Sequence, residues 1–403
     1  MASSHPVAPR PTSFGFSNEE RTMGVLLVLV PLTFLAAAVG WPPWTQFFLA
    51  VGAVIPLAAF VGAATEALAD RKGGKIGGLL NATFGNSPDL LVGVFGVQKG
   101  LIPLVKATLI GALISNSALI MGLCCLVAGL KHGTAKFKRQ EAGHHSVLMM
   151  LTVAAVLFPS VGALVVCGGT HCKSTTSATS ILHVSVGISI VLLLSYAAYV
   201  VYGILGFQSL RGSEREGSET RHLLQRSKQL DKPTWPIWFS LVILGSTTAA
   251  LIPVTDILTG SVGPVTKVLG WTEVFVGIII VANAGNVAEG YAALKFAFQR
   301  PASPDHASSV DSGLDLALGI ASASSIQIAT FVAPVVVLYS LSTHTMNLVF
   351  SPIELAILAL LVVMFAYIAQ DGETNWLEGA QLLALYAMAG IVFYAFPVSA
   401  FGG

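Results

Sequence analysis

The chain has 403 residues, of which 54% are hydrophobic and 10% are charged, and its formal net charge is +1. Soluble domains carry about 25% charged residues, so this composition, with a mean hydropathy of +0.77, excludes a soluble globule and predicts a polytopic membrane protein. The net charge is too small to indicate a nucleic-acid partner, and we expect none.

Eleven apolar stretches are each long enough to cross a bilayer as a helix of about 20 residues. The runs are long and do not alternate, which excludes a transmembrane barrel. The sequence therefore predicts an all-α polytopic membrane protein with eleven transmembrane helices. The predicted spans are 23–40, 44–69, 76–98, 102–130, 144–166, 179–206, 236–258, 272–298, 314–340, 352–370 and 375–396.

Lysine and arginine are distributed unevenly between the two sides that these spans define. With the N-terminus inside, 17 of the 21 Lys and Arg residues fall in inside segments and four fall outside. Basic residues favour the cytosolic side of a membrane. We therefore predict a cytosolic N-terminus, an outside C-terminus and an odd number of spans.

The longest polar stretch, 207–235, divides the chain into two comparable halves. We predict a cytosolic tail and one extra span in 1–43, a first repeat of five helices in 44–206, a cytosolic linker in 207–235 and a second repeat in 236–403. Five is an odd number, so the second repeat would enter the membrane from the opposite side. Such an inverted-topology repeat is the architecture of many secondary transporters.

The second helix of each predicted repeat carries a similar polar motif. Residues 85–89 read Gly-Asn-Ser-Pro-Asp, and residues 285–289 read Gly-Asn-Val-Ala-Glu. A charge at the bilayer centre costs about 3 kcal/mol on insertion scales, so an acid there indicates a functional site. Glycine and proline weaken both helices, and interrupted helices in matching positions point to a midplane binding site. We therefore expect Asp89 and Glu289 to face each other near the bilayer centre.

Two apposed carboxylates in a low dielectric require a bound cation or protons. Ca²⁺ takes six to eight oxygen ligands, so two acids must be supplemented by amides, hydroxyls, carbonyls or water. We predict that Asp89 and Glu289 bind the metal and carry the protons, with Asn86 and Asn286 as further metal ligands. The supporting polar residues would come from the helix that follows each motif: Ser115, Asn116, Ser325 and Gln327. A site that holds either a metal or protons couples two gradients, as an exchanger does.

These motifs resemble those of the calcium/proton exchanger family, within the cation/calcium exchanger superfamily. That family has Gly-Asn-x-x-Glu in its first repeat and Gly-Asn-Ala-Ala-Glu-His in its second, followed by a Ser-Asn stretch and a Ser-Ser-Ile-Gln stretch respectively. Here the later stretches are Ser115-Asn116 and residues 324–327, and the similarity covers about 44–396. The resemblance implies a Ca²⁺/H⁺ antiporter in which Asp89 and Glu289 are the central ligands and proton carriers.

The chain departs from the family pattern at two positions of the site. Asp89 stands where the family has Glu, and Gly290 stands where the second repeat of the family has His. An exchanger of the same fold for Na⁺ or for another divalent cation such as Mn²⁺ is therefore an alternative. More distant alternatives are a cation channel and an intramembrane aspartyl protease, although the second acid here is Glu.

We expect Ca²⁺, H⁺ and the lipid bilayer as partners, no cofactor and no enzymatic activity, and the sequence does not indicate an oligomer. The plasma (inner) membrane is the expected location, with a vacuolar membrane as the alternative. Cys167 and Cys172 fall in a loop predicted outside, where they would pair if that side is oxidising. The acids Glu66, Asp256, Asp315 and Glu354 are interpreted as charges near the ends of spans.

Overall fold

The computed structural model describes residues 16–72, 83–170, 172, 174–205, 235–298 and 312–396. Almost all of these residues are helical. The α-helices are α1 (Asn18–Leu26), α2 (Leu29–Val39), α3 (Pro43–Lys72), α4 (Ser87–Gln98), α5 (Ile102–Ile114), α6 (Met121–His132), α7 (Arg139–Cys167), α8 (Thr175–Leu205), α9 (Ile237–Leu269), α10 (Glu273–Phe275), α11 (Ala282–Phe298), α12 (Ser312–Gln327), α13 (Ala333–Ser340), α14 (Pro352–Asp371) and α15 (Trp376–Ala395).

Within the described residues, three π-helical segments interrupt the long helices of the core. Ser115–Ile120 joins α5 to α6, Val276–Val281 joins α10 to α11, and Ile328–Val332 joins α12 to α13. Segments of this kind occur frequently at functional sites. Two short strands, β1 (Ala135–Lys136) and β2 (Glu373–Thr374), pair antiparallel where two connecting loops meet.

Within the described residues, ten helices are long and apolar enough to cross a membrane. The third predicted span, 76–98, is described only in part, because α4 covers 12 residues of it and 73–82 lie outside the described residues. The predicted first span corresponds to α1 and α2 together. The predicted linker also lies outside the described residues, except for Trp235. Each remaining predicted span corresponds to one helix of the structure or to two α-helices joined by a π-helical segment.

The spans differ in how much protein surrounds them. In the segments Ile102–Lys131 and Gly313–Ser340, 78% of the residues of the apolar window are buried, whereas in Thr175–Val201 the share is 17%. The first two spans therefore form the centre of the bundle, and the third presents most of its surface outward, as a lipid-facing helix does. Both central spans carry supporting polar residues that the sequence analysis identified.

Two further contacts frame the bundle. Helices α3 and α9 form the most extensive helix pair among the described elements, and α9 also packs against α4.

Cys167, at the end of α7, forms a disulfide with Cys172. The structure thus joins the two cysteines whose pairing the sequence left open.

Local sequence determines where several of these helices begin and end. Ser351 and Glu354 form a capping box at the start of α14, with Pro352 as its first residue. Gly372 ends α14 in the left-handed conformation with φ 73°. A capping box and an N-terminal proline start a helix, and a glycine with positive φ ends it.

Candidate functional site

The first motif lies at the beginning of a helix. Gly85 and Asn86 form a turn, and α4 starts at Ser87 with Pro88 in its first turn. Asp89 also lies in this first turn and is only 4% exposed. The free N–H groups and dipole of a helix N-terminus favour a negative charge. The predicted interruption of this helix is therefore confirmed, and it places a buried acid at a helix start.

The second motif has a different backbone. Helix α11 runs without a break from Ala282 to Phe298 and includes Gly285, Asn286 and Glu289. The irregular turn comes earlier, in the π-helical segment Val276–Val281. The predicted irregularity of this span therefore lies at the segment that contains Gly277. The chain stays helical through Gly285, because no proline follows Asn286 and a helix accommodates an internal glycine at a cost of about 1 kcal/mol.

The two motifs meet inside the protein. A Cβ atom built on Gly285 would lie 3.2 Å from Oδ1 of Asp89, so the carboxylate of the first motif rests against the backbone of the second. Glu289 is near enough to Asp89 for the two acids to interact as like charges. This geometry brings the two acidic side chains close together. That the two acids bind one ion together stays a prediction.

A hydrogen-bonded row of small polar side chains crosses the site between the two central spans. The amide Nδ2 of Asn116 donates to Oγ of Ser324 at 2.9 Å, and the hydroxyls of Ser117 and Ser325 lie 3.1 Å apart. Ser324 in turn lies near enough to Glu289 for their side chains to interact. The residue pairs Asn116–Ser324 and Ser117–Ser325 are both separated by 208 positions in the chain.

The predicted supporting residue Gln327 has a defined partner. Its Oε1 accepts a hydrogen bond of 2.6 Å from Nδ2 of Asn86, and both residues are buried. This bond joins the first motif to the centre of the second half of the chain. It also means that the Nδ2 group of Asn86 is bound to a protein side chain.

Three buried polar atoms of this region have no hydrogen-bond partner among the described residues: Oδ1 of Asn116, Nδ2 of Asn286 and Oε2 of Glu289. An unpaired buried polar group costs about 1–3 kcal/mol, so these three atoms are the ones that a bound ligand could satisfy. Two carboxylates with amide and hydroxyl oxygens suit a hard cation. Within the described residues, no three His, Cys, Asp or Glu side chains cluster closely enough to hold a metal by themselves.

Sequence reasoning missed two polar residues beside the site, Asn283 and Tyr386. Ser115 donates to Oδ1 of Asn283 at 2.6 Å, and Nδ2 of Asn283 donates to the hydroxyl of Tyr386 at 2.7 Å. Asn283 lies three residues before Asn286, on the same face of the helix, and that spacing could have identified it. Tyr386 lies on α15, far away in sequence, and carried no such signal.

Two other acids of the spans pair with lysine side chains. Asp256 pairs with Lys99 at 2.7 Å, and Asp315 pairs with Lys138 at 3.7 Å. Asp315 lies in the first turn of α12, as predicted for a charge near a span end. The same prediction is wrong for Asp256, because α9 continues to Leu269, beyond the predicted end at 258. Glu66 lies on α3 and is half-buried.

Glu354 is at a helix start, as predicted, but it is not solvated. It is 3% exposed and completes the capping box of α14, where its Oε2 accepts from the backbone N–H of Ser351 at 2.8 Å. It also interacts with Lys106, whose Nζ donates to Oδ1 of Asn347 at 2.7 Å. This buried cluster is separate from the Asp89–Glu289 site.

The structure is a bundle of apolar helices in which the buried Asp89 and the half-buried Glu289 lie on neighbouring helices, as in a helical membrane transporter. The family model described as "Sodium/calcium exchanger protein" matches residues 42–205 and 239–395. The chain therefore belongs to the sodium/calcium exchanger protein family.

Relatives of known name are similar along nearly their whole length. A Ca²⁺/H⁺ antiporter of Aphanothece halophytica is 33% identical over 380 residues, which cover 93% of this chain and 96% of the relative. The Ca²⁺/H⁺ antiporter ChaA of Bacillus subtilis (strain 168) is 33% identical, with coverage of 91% and 96%. A vacuolar calcium ion transporter of Schizosaccharomyces pombe is 30% identical, with coverage of 93% and 84%. The resemblance to calcium/proton exchangers is confirmed.

Solved structures agree with the fold. The structure of native YfkE superposes with a TM-score of 0.74 at 31% identity and covers 93% of this chain and 100% of its own. The crystal structure of the H⁺/Ca²⁺ exchanger CAX superposes with a TM-score of 0.65 at 13% identity over 93% of this chain and 92% of its own, which shows a shared fold.

Proposed function

We propose that this protein is a secondary-active antiporter that exchanges Ca²⁺ for H⁺. The observation that carries the proposal is the burial of Asp89 against Gly285, within reach of the like charge of Glu289. Two motifs about 200 residues apart in sequence supply one acid each to this place. The names of the relatives, Ca²⁺/H⁺ antiporters along nearly the full chain, support the same ions.

The mechanism follows from the charge of the site. Two ionised carboxylates in a dry interior repel each other and lose their hydration, so the site is stable only when a cation or protons neutralise it. Ca²⁺ would be held by Asp89 and Glu289, with the amide oxygens of Asn86, Asn286 and Asn116 completing the shell together with water. When Ca²⁺ leaves on one side, protons from that side take its place. The site then opens to the opposite side and releases the protons there.

An inverted repeat supplies the alternation. The proposed layout has eleven spans, with repeats at 44–206 and 236–403. It is supported by the pairs Asn116–Ser324 and Ser117–Ser325, which share the separation of 208 positions. On a pseudo-two-fold axis each residue touches its own repeat equivalent, and two consecutive pairs with the same separation are what such an axis produces. A site on the axis can face either side when one repeat rocks against the other.

The proposed sidedness follows the lysine and arginine count. Segments assigned to the inside contact one another, as in the pairing of Ala135 with Thr374 and of Lys138 with Asp315. Lys106, assigned to the outside, contacts Asn347 in another outside segment. These contacts support the alternation of sides along the chain, and the lysine and arginine count then gives the proposed cytosolic N-terminus and outside C-terminus. We propose a plasma membrane as the location.

The test is Ca²⁺ uptake into vesicles that contain the purified protein and hold an imposed pH gradient. We expect uptake driven by the gradient, at least 100-fold loss in Glu289→Gln, and near-normal uptake in Glu373→Gln. Glu373 is the matched control because it is exposed on β2 and pairs with Lys136. Uptake that survives Glu289→Gln would refute the mechanism. Uptake that follows a Na⁺ gradient and ignores the pH gradient, or that selects Mn²⁺ over Ca²⁺, would favour the alternative exchangers.

A further inference from the structure

The two motif asparagines occupy equivalent places in sequence but have different partners. Nδ2 of Asn86 donates to Gln327 at 2.6 Å. Nδ2 of Asn286 has no partner among the described residues, although Asn286 is only 2% exposed. The amide of the first motif is thus fixed by a neighbouring side chain, whereas the amide of the second motif lacks that restraint on its side-chain torsions.

The position that would have to supply a partner for Asn286 is residue 119. Subtracting the separation of the pairs Asn116–Ser324 and Ser117–Ser325 from 327 leads to Leu119. Leucine has no polar side-chain atom, so it cannot do for Asn286 what Gln327 does for Asn86.

Contacts made by residues before and after Leu119 place it beside the part of α11 that contains Asn286. These contacts are independent of the repeat. Ser115 contacts Asn283 at 2.6 Å, and a Cβ atom on Gly290 would lie 3.0 Å from Cδ1 of Ile120. Chain positions 115–120 therefore run alongside 283–290, which contains Asn286. Residue 119 is about one helical turn beyond Ser115, near the same side of its helix, and it is half-buried.

We propose that Leu119 determines the cation selectivity of the site by leaving Asn286 as an adjustable ligand opposite the fixed Asn86. This inference rests on the proposed cation exchange at this site. A ligand that can turn follows cations of different radius, whereas a clamped ligand fits one metal–oxygen distance. Ca²⁺ binds oxygen at 2.3–2.6 Å in flexible geometry, and a smaller cation such as Mn²⁺ needs its ligands closer. Leu119 is thus a positioning residue that acts through Asn286.

The experiment compares Leu119→Gln with Leu119→Met in vesicles driven by a pH gradient. Glutamine can accept from Nδ2 of Asn286. Methionine has nearly the same length without an amide, and exchange of leucine for methionine conserves volume and is usually well tolerated. We expect the ratio of KM for Mn²⁺ to KM for Ca²⁺ to rise at least threefold in the Gln variant relative to the Met variant, with similar maximal rates. The converse variant Gln327→Met releases Asn86 and should lower the same ratio below that of the wild type.

Equal KM ratios in the two variants at position 119 would overturn the inference. A Gln variant that gives no monodisperse peak in detergent is not folded, and the test then depends on Gln327→Met alone. An unchanged KM ratio in Gln327→Met would overturn the inference. Failure of the proposed function looks different, because the wild type itself would then show no Ca²⁺ uptake driven by a pH gradient.

Discussion

The two motifs share a spacing of glycine, asparagine and acid but have unlike backbones. In the first, a turn at Gly85–Asn86 starts α4, and Asp89 lies in its first helical turn. In the second, α11 passes straight through Gly285 and Glu289. Pro88 accounts for the difference, since proline is favoured in the first turn of a helix and disfavoured in its interior.

This difference explains how a shorter acid serves the first half of the site. Asp89 lacks one methylene relative to Glu289, yet its carboxylate reaches the backbone of α11 because Gly285 has no side chain. The acid of the first motif therefore depends on the glycine of the second. Each motif provides one acid, and the second also provides the space that the first acid occupies.

After the loss of Glu289 itself, the largest effect should come from closing that space. Gly285→Ala would put a methyl group 3.2 Å from Oδ1 of Asp89, displacing the carboxylate, and we expect at least a tenfold loss of pH-driven Ca²⁺ uptake in vesicles. Gly245→Ala is the control, because a Cβ atom there meets nothing within 4 Å. Equal uptake in the two variants would show that Asp89 does not depend on Gly285.

A smaller effect is expected at the position where the chain departs from the family motif. A Cβ atom on Gly290 would already lie 3.0 Å from Ile120, so Gly290→His overpacks the site at a cost of about 1–3 kcal/mol. We expect a lower melting temperature of the detergent-solubilised protein. The double variant Gly290→His with Ile120→Ala should recover most of the lost melting temperature. A double variant that melts as low as the single variant would contradict this account.

The smallest effect should come from Tyr386, which anchors the second motif from the last span. Tyr386→Phe removes the acceptor for one N–H of Asn283, while the second bond of that amide, to the carbonyl of Ile279 at 2.7 Å, remains. A lost hydrogen bond is worth about 0.5–1.5 kcal/mol, so we expect about a 2- to 10-fold rise in KM for Ca²⁺. Tyr394→Phe, at an exposed position of the same helix, should leave KM unchanged, and a rise equal to that of Tyr386→Phe would argue against the anchor.

Much of the site could be predicted from local spacing. An acid three residues after an asparagine, repeated 200 positions later within a long apolar run, was enough to select Asp89, Glu289, Asn86 and Asn286 as candidates. The Ser-Asn and Ser-Ser-Ile-Gln stretches identified the helices that line the site. The irregularity of the second motif span lies in Val276–Val281 and not at Gly285, because glycine alone weakens a helix without ending it.

The sequence by itself determined that the chain lies in a membrane, roughly where it crosses and which acids are out of place there, because apolar length and the cost of a buried charge are local properties. Only the tertiary structure decided that Asp89 rests on Gly285, that Gln327 serves Asn86 while Nδ2 of Asn286 has no such partner among the described residues, and that Tyr386 reaches Asn283. Those contacts join residues about 100 to 240 positions apart. They depend on how the helices pack, which spacing along one helix does not encode.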